Sequence, residues 1–132
     1  GDVVPQVLLL LQQQALDLQA LGVDKHRIVL DPGIGFGKTV EQNFALLARQ
    51  AELLTSGHAW LAGWSRKSSL GAVTGLPVEQ RLHASVAAAV LAVERGARIV
   101  RVHDVAATVQ ALAVWRAMQA AQVTTTSTEG TP

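Results

Sequence analysis

Three short strand-like segments in this chain each lead to a polar side chain at or just past their end, and those side chains are evenly spaced. Arg27 to Leu30 leads to Asp31, Ala59 to Trp64 leads to Lys67, and Ala97 to Val102 leads to His103. The intervals are 67 − 31 = 36 and 103 − 67 = 36 residues. A strand-helix unit in an eight-unit barrel of roughly 250 residues takes about 31 residues, so the spacing reads as one such unit used three times. Strands joined by crossovers of this length pair in parallel with right-handed connections. Polar groups at the carboxyl ends of parallel strands build sites in barrels and in open doubly wound sheets alike.

The intervening segments read as helices. Asp2 caps the first, with Pro5 in its first turn, and Val7, Leu8, Leu11, Ala15, Leu18 and Leu21 recur at helical spacing until Gly22. Asp31-Pro32 ends the first strand, because proline disfavours helical dihedrals in the residue before it. A second helix is expected from about Val40 to Leu54 with Phe44, Leu47, Ala48 and Ala51 inward, broken at Ser56-Gly57. Past Lys67 a loop carries Gly71 and Gly75, and Pro77 begins a third helix. Its buried stripe is expected at Leu82, Val86, Ala89, Val90 and Val93, with Gly96 closing it. Asp104 caps a last helix to about Met118. Residues 1–122 read as one structured unit, and 123–132, without apolar periodicity, as a disordered tail.

A parallel sheet of three strands leaves two edges open and much of its core uncovered. The expected class is therefore α/β, as the carboxyl-terminal portion of a (β/α)8 barrel with three parallel strands and four main helices. Comparable or greater length of chain is expected upstream.

At 132 residues the chain holds one core at most, and a formal charge of +1 with scattered basic residues supplies no field to hold nucleic acid or an anionic bilayer. No cysteine is present, which removes thiolate chemistry and fits a reducing, cytoplasmic setting. The run Val7 to Leu11 is far short of the roughly 20 residues of a membrane helix and lacks the basic flank of a signal peptide.

Chemistry concentrates at the strand ends. Gly37-Lys38-Thr39 would complete a nucleotide phosphate loop only with glycine at position 32, where Pro32 stands. A dinucleotide fingerprint fails too, since Gly33-Ile34-Gly35-Phe36-Gly37 places its third glycine one residue early. Two readings of this loop stay open: a glycine-rich turn capped by Asp31, or a loop whose backbone approaches a flat ligand while Phe36 stacks on it. Ser65-Arg66-Lys67-Ser68 lacks the final glycine of a nucleophile elbow and reads either as a solvated turn or as part of the same cleft. Arg101 and His103 share a face with Ile99 and together suit an anion such as phosphate, unless Asp104 pairs with them. His26, His58 and His83 show no ligand spacing, so no protein-built metal site is expected.

Three motifs taken together carry a resemblance to the dihydropteroate synthase family: Leu30-Asp31-Pro32-Gly33-Ile34-Gly35-Phe36-Gly37-Lys38 followed by Asn43, Gly63-Trp64-Ser65-Arg66-Lys67-Ser68, and Arg101-Val102-His103-Asp104. The resemblance runs from about Asp2 to Met118. It implies a folate-biosynthesis transferase that joins p-aminobenzoate to the methylene carbon of a dihydropterin diphosphate, releasing diphosphate. It further implies that Asp31 binds the pterin's amino-pyrimidine edge, with Gly63 lining the pterin slot and Lys67 contacting the pterin near the aminobenzoate. Gly35, Phe36 and Ser68 would contact p-aminobenzoate, and Arg101 and His103 would hold the diphosphate, with Lys67, Arg101 and His103 as the catalytic set. Mg2+ would accompany the diphosphate through a ligand outside these residues. Trp64 stands where the family often has a smaller Met, which bears on packing. The family's amino-terminal half supplies further pterin contacts and mobile loops, so this chain alone is expected to be inactive, and to self-associate as a homodimer or as paired half-barrels. Two other classes remain: a non-catalytic half-barrel scaffold, against which the joint retention of Asp31, Lys67, Arg101 and His103 speaks, and a pterin-binding methyltransferase domain, which would not need an anion site at Arg101 and His103.

Overall fold

The computed structural model describes residues 2–129, with side chains for residues 2–122. Its sheet has three parallel strands in chain order, β1 (Val29–Leu30), β2 (Ala59–Ala62) and β3 (Ile99–Val100). Val29 pairs with Ala59 and Leu30 with Trp60, while Leu61 pairs with Ile99 and Ala62 with Val100. Successive side chains in a strand point to opposite faces, so this register sorts the sheet cleanly. Leu30, Trp60 and Ala62 are buried on one face and join Val4, Leu46, Leu53 and Ala92 from the helices in a single core. The other face carries Val29 and Ile99, each 43% exposed. Continuing the alternation past the strand ends places Asp31, Gly63 and Arg101 above this open face.

Among the described residues there are six helices; five supply residues to the core on the covered face, and the last packs on the fifth. α1 (Val3–Ala20) starts where Asp2 Oδ1 accepts from the Val4 amide at 3.1 Å. α2 (Val40–Ala48) opens with a reciprocal capping box between Thr39 and Gln42. The expected continuous helix to Leu54 is interrupted: Arg49 leaves helical geometry, α3 (Gln50–Leu53) is a single turn, and a 3-10 turn (Leu54–Ser56) ends at Gly57, whose φ is +78°. The break has a visible cause, because Gln50 is buried and its Nε2 donates to the carbonyls of Ala92 at 2.9 Å and Arg95 at 3.3 Å. Asn43, Leu46, Leu47, Gln50 and Leu53 consequently face inward, whereas Ala48 and Ala51, expected inside, are exposed.

The segment expected as a loop after Lys67 contains α4 (Ser68–Thr74), with Gly75 as its left-handed cap. α5 (Leu82–Glu94) starts five residues past Pro77, after a 3-10 turn (Val78–Gln80). It buries Ser85, Ala88, Ala89 and Ala92, while Leu82 is exposed and Val86, Val90 and Val93 are half-buried. Of the expected stripe only Ala89 lies fully inside. Small side chains let this helix approach the core closely, and the larger ones flank the contact. α6 spans Val105–Glu129, beyond Met118 and into the stretch read as a disordered tail. Ala117 to Gln122 are strong helix formers, which accounts for the continuation past Met118 as far as Gln122. Residues 130–132 of that stretch lie outside the described residues. Among the described residues no helix is long and apolar enough to cross a membrane.

Candidate active site

The loop after β1 is held by its own chain. Asp31 Oδ1 accepts from the Gly33 amide at 2.8 Å, and Gly33, Gly35 and Gly37 take φ values of +71°, +88° and +64°, which L side chains rarely adopt. Buried Asn43, reaching up from α2, accepts from the Gly35 amide at 3.0 Å and donates to Ser69 Oγ at 2.9 Å. Lys38 Nζ donates to the carbonyls of Gly33 at 2.9 Å and Phe36 at 3.2 Å. The lysine that sequence alone invites one to place on a phosphate is thus bound to the loop's own carbonyls. What the loop presents outward is the Phe36 ring, with Lys67 Nζ 4.6 Å from its centroid.

After β2 the chain makes a tight turn in which Arg66 has φ +57°, the one non-glycine residue with positive φ among those described. The Arg66 amide donates to Ser85 Oγ at 2.8 Å, and its carbonyl accepts from Arg81 Nη1 at 3.0 Å. Its guanidinium pairs with Asp104 at 2.9 Å. This turn sends buried Ser65 toward the end of β3 and Lys67 toward the β1 loop, where Nζ donates to the Ile34 carbonyl. Burial and the nearby Arg101 guanidinium lower the Lys67 pKa from 10.5, partly opposed by Asp31. Trp64 points into the core and packs on Phe44, ring centroids 5.0 Å apart and planes at 45°, so the larger ring at this position is absorbed by packing.

After β3 the Arg101 amide donates to the Ala62 carbonyl at 2.9 Å, prolonging the ladder. Arg101 Nη1 then reaches Asp31 Oδ2 at 3.3 Å. Its guanidinium lies over Gly63, where any Cβ would collide with it. His103 meets Ser65 twice: its amide donates to Oγ at 3.1 Å, and Nδ1 lies 2.8 Å from the same oxygen. With the hydroxyl donating to Nδ1, a neutral His103 keeps its proton on Nε2 and can donate it to an anion. The alternative in which Asp104 neutralises Arg101 and His103 does not occur, because Asp104 is engaged by Arg66.

Gly63, Ser65, Lys67, Arg101, Val102 and His103 line one recess of about 110 Å3. Asp31 joins it through Arg101, and Gly35 and Phe36 join through Lys67, whose stem passes 3.1 Å from the position of a Gly35 Cβ. Ser68 is the exposed first residue of α4 and does not line the recess. Sequence reasoning assigned no role to Ser65, Asn43 or Lys38. For Asn43 the signal was its place just past the glycine loop; for the other two the partners are visible only in three dimensions. A cationic recess beside a carboxylate and an exposed ring can take an anionic group at one end and a flat, hydrogen-bonding group at the other.

Residues 1–103 match the family model described as pterin binding enzyme. The dihydropteroate synthase of Haemophilus influenzae is 47% identical over 116 residues, covering 88% of this chain and 42% of that protein. That of Escherichia coli K12 is 40% identical over 121 residues, covering 92% and 43%. Among solved structures, the Xanthomonas albilineans dihydropteroate synthase in complex with 7,8-dihydropteroate superposes with a TM-score of 0.89 at 50% identity, covering 91% of this chain and 46% of that one. The Yersinia pestis enzyme in a sulfonamide drug complex gives 0.89 at 40% identity, covering 92% and 44%. The chain therefore spans less than half the length of the relatives it matches, and its three strands and their helices form an arc of their α/β barrel. With the match extending over most of its length, the chain belongs to the pterin-binding enzyme family.

Proposed function

We propose that this chain provides the carboxyl-terminal part of a dihydropteroate synthase site, binding dihydropterin diphosphate and p-aminobenzoate for condensation to dihydropteroate with release of diphosphate. The observation that carries this reading is the meeting of Lys67, Arg101 and His103 in one recess with Asp31 held against Arg101. Arg101 and His103 hold the diphosphate, whose charge grows as the carbon–oxygen bond breaks. Asp31 accepts from adjacent N–H groups of the pterin, beside Gly63. Lys67 contacts the pterin and stands next to Phe36, where Gly35, Phe36 and Ser68 receive p-aminobenzoate. The attacking arylamine is neutral, so the site has no need of a strong base.

Mg2+ belongs in this proposal as the diphosphate's companion, but the recess offers ammonium, guanidinium and imidazole groups, and Asp31 is committed to Arg101. That is not the oxygen-rich donor set Mg2+ requires. Action in the cytoplasm and self-association across the open sheet face belong to the same reading, supported by the absence of cysteine and by exposed Val29 and Ile99.

Calorimetric titration with dihydropterin diphosphate tests the proposal. Saturable binding is expected, weakened at least about tenfold in R101A and in D31N. Binding indifferent to both substitutions would overturn it, and so would turnover by the isolated chain comparable to that of an intact synthase, which the share of the barrel present argues against.

A further inference from the structure

The opposite rim of the sheet holds a second cleft that the proposed chemistry leaves unused. It has a volume of about 570 Å3, within the range of small-molecule sites, and lies where the three turns preceding β1, β2 and β3 converge. Each turn contributes a cation or an imidazole: Lys25 and His26 from the first, His58 from the second, Arg98 from the third. None of the lining residues is acidic. Asp24, the nearest carboxylate in sequence, is occupied as the cap of the Lys25–Arg27 turn, accepting from the His26 amide at 2.8 Å.

Two further features shape the cleft. His58 lines it, with Nδ1 buried and without a hydrogen-bond partner. Gly57 leaves room for Lys25: a Cβ there would stand 3.0 Å from Lys25 Nζ, so the missing side chain lets the ammonium lie close over the turn. Ile28, Leu54 and Ala59 supply an apolar wall beside these groups. A cationic fork, an ammonium and imidazoles next to an apolar wall match a small phosphate-bearing molecule, with the phosphate on Lys25 and Arg98 and any organic portion against Ile28 and Leu54.

We propose that this cleft is a second anion site, for phosphate or a small phosphate ester, distinct from the Arg101 and His103 recess. Titrations of the 132-residue chain with inorganic phosphate and with phenyl phosphate, followed by amide and imidazole NMR shifts, test it. The expected result is saturating shifts at Gly57, His58, Gly96 and Arg98, with affinity reduced about tenfold in R98A and unchanged in R101A. If phenyl phosphate binds more tightly, the occupant is an ester; equal affinities identify free phosphate. K25Q, which alters only an exposed side chain, gives the same reading should R98A fold poorly. Shifts confined to the residues around Lys67 and His103, or weak unsaturable shifts equal in R98A, K25Q and the unsubstituted chain, would overturn the proposal.

Discussion

Arg101 Nη1 lies 3.3 Å from Asp31 Oδ2, an ion pair joining the ends of the outer two strands across β2. Under the proposed function, each partner occupies the group that the substrate's opposite ends would claim, the diphosphate on Arg101 and the pterin on Asp31. A diphosphate that draws Arg101 away also frees Asp31. R101A is therefore expected to weaken binding of the dihydropterin diphosphate at least about tenfold while leaving, or slightly improving, affinity for the same pterin without its diphosphate. Parallel calorimetric titrations of the two ligands check this. Because both side chains are more than a third exposed, the pair itself should add less than about 1 kcal/mol to stability.

Lys67 carries a pH signature. Burial and Arg101 make its charged form less favourable in the fold than in the unfolded chain, so its pKa lies below 10.5. Between the lowered value and 10.5 the unfolded chain binds more protons, and stability should rise with pH across that window. The penalty is present at neutral pH, where both states are protonated. K67M should abolish the rise and be no less stable at pH 7, while losing pterin affinity. Denaturant midpoints measured from pH 7 to 10.5 in both proteins provide the check.

Asn43 is 1% exposed and spends both ends of its amide on partners 8 and 26 residues away. N43A strands the Ser69 hydroxyl and frees the Gly35 amide, at an expected cost of about 1–3 kcal/mol. N43D should also be destabilising: a carboxylate can accept from the Gly35 amide and from the Ser69 hydroxyl, but at this buried position it has no cation to pair with. Urea unfolding distinguishes these outcomes from a purely local effect on the loop.

At Gly63 a methyl group would fall on the Arg101 guanidinium, the far end of a flexible side chain, and its φ is not in the left-handed region. G63A should therefore keep its stability within about 1 kcal/mol, because Arg101 can swing aside. Affinity for the diphosphate ligand should fall with it. Unfolding curves alongside ligand titrations separate the two effects.

The strands were readable from sequence because each apolar stretch gives way to polar residues; the even spacing belongs to Asp31, Lys67 and His103, since the strands themselves end at Leu30, Ala62 and Val100. The recess followed from that order, since parallel strands bring their carboxyl ends together. Less could be read from α5, where alanine, valine and leucine occupy nearly every position and no periodicity marks the inward side; packing chose Ala88 and Ala92 over Val86 and Val90. The break at Arg49 was equally hidden, because it depends on Gln50 finding carbonyls 42 and 45 residues away. Ser65 was passed over as a failed nucleophile, whereas its partner is His103, 38 residues on.

The turn between Ser65 and Lys67 has its amide on Ser85 and its carbonyl on Arg81, both from the start of α5. The inner rim thus inherits its shape from the outer layer of the molecule. A slide of that helix by a fraction of an ångström would swing a histidine's support and an ammonium group together, so selection on the helix's outward side could retune substrate preference without touching any residue that meets the ligand.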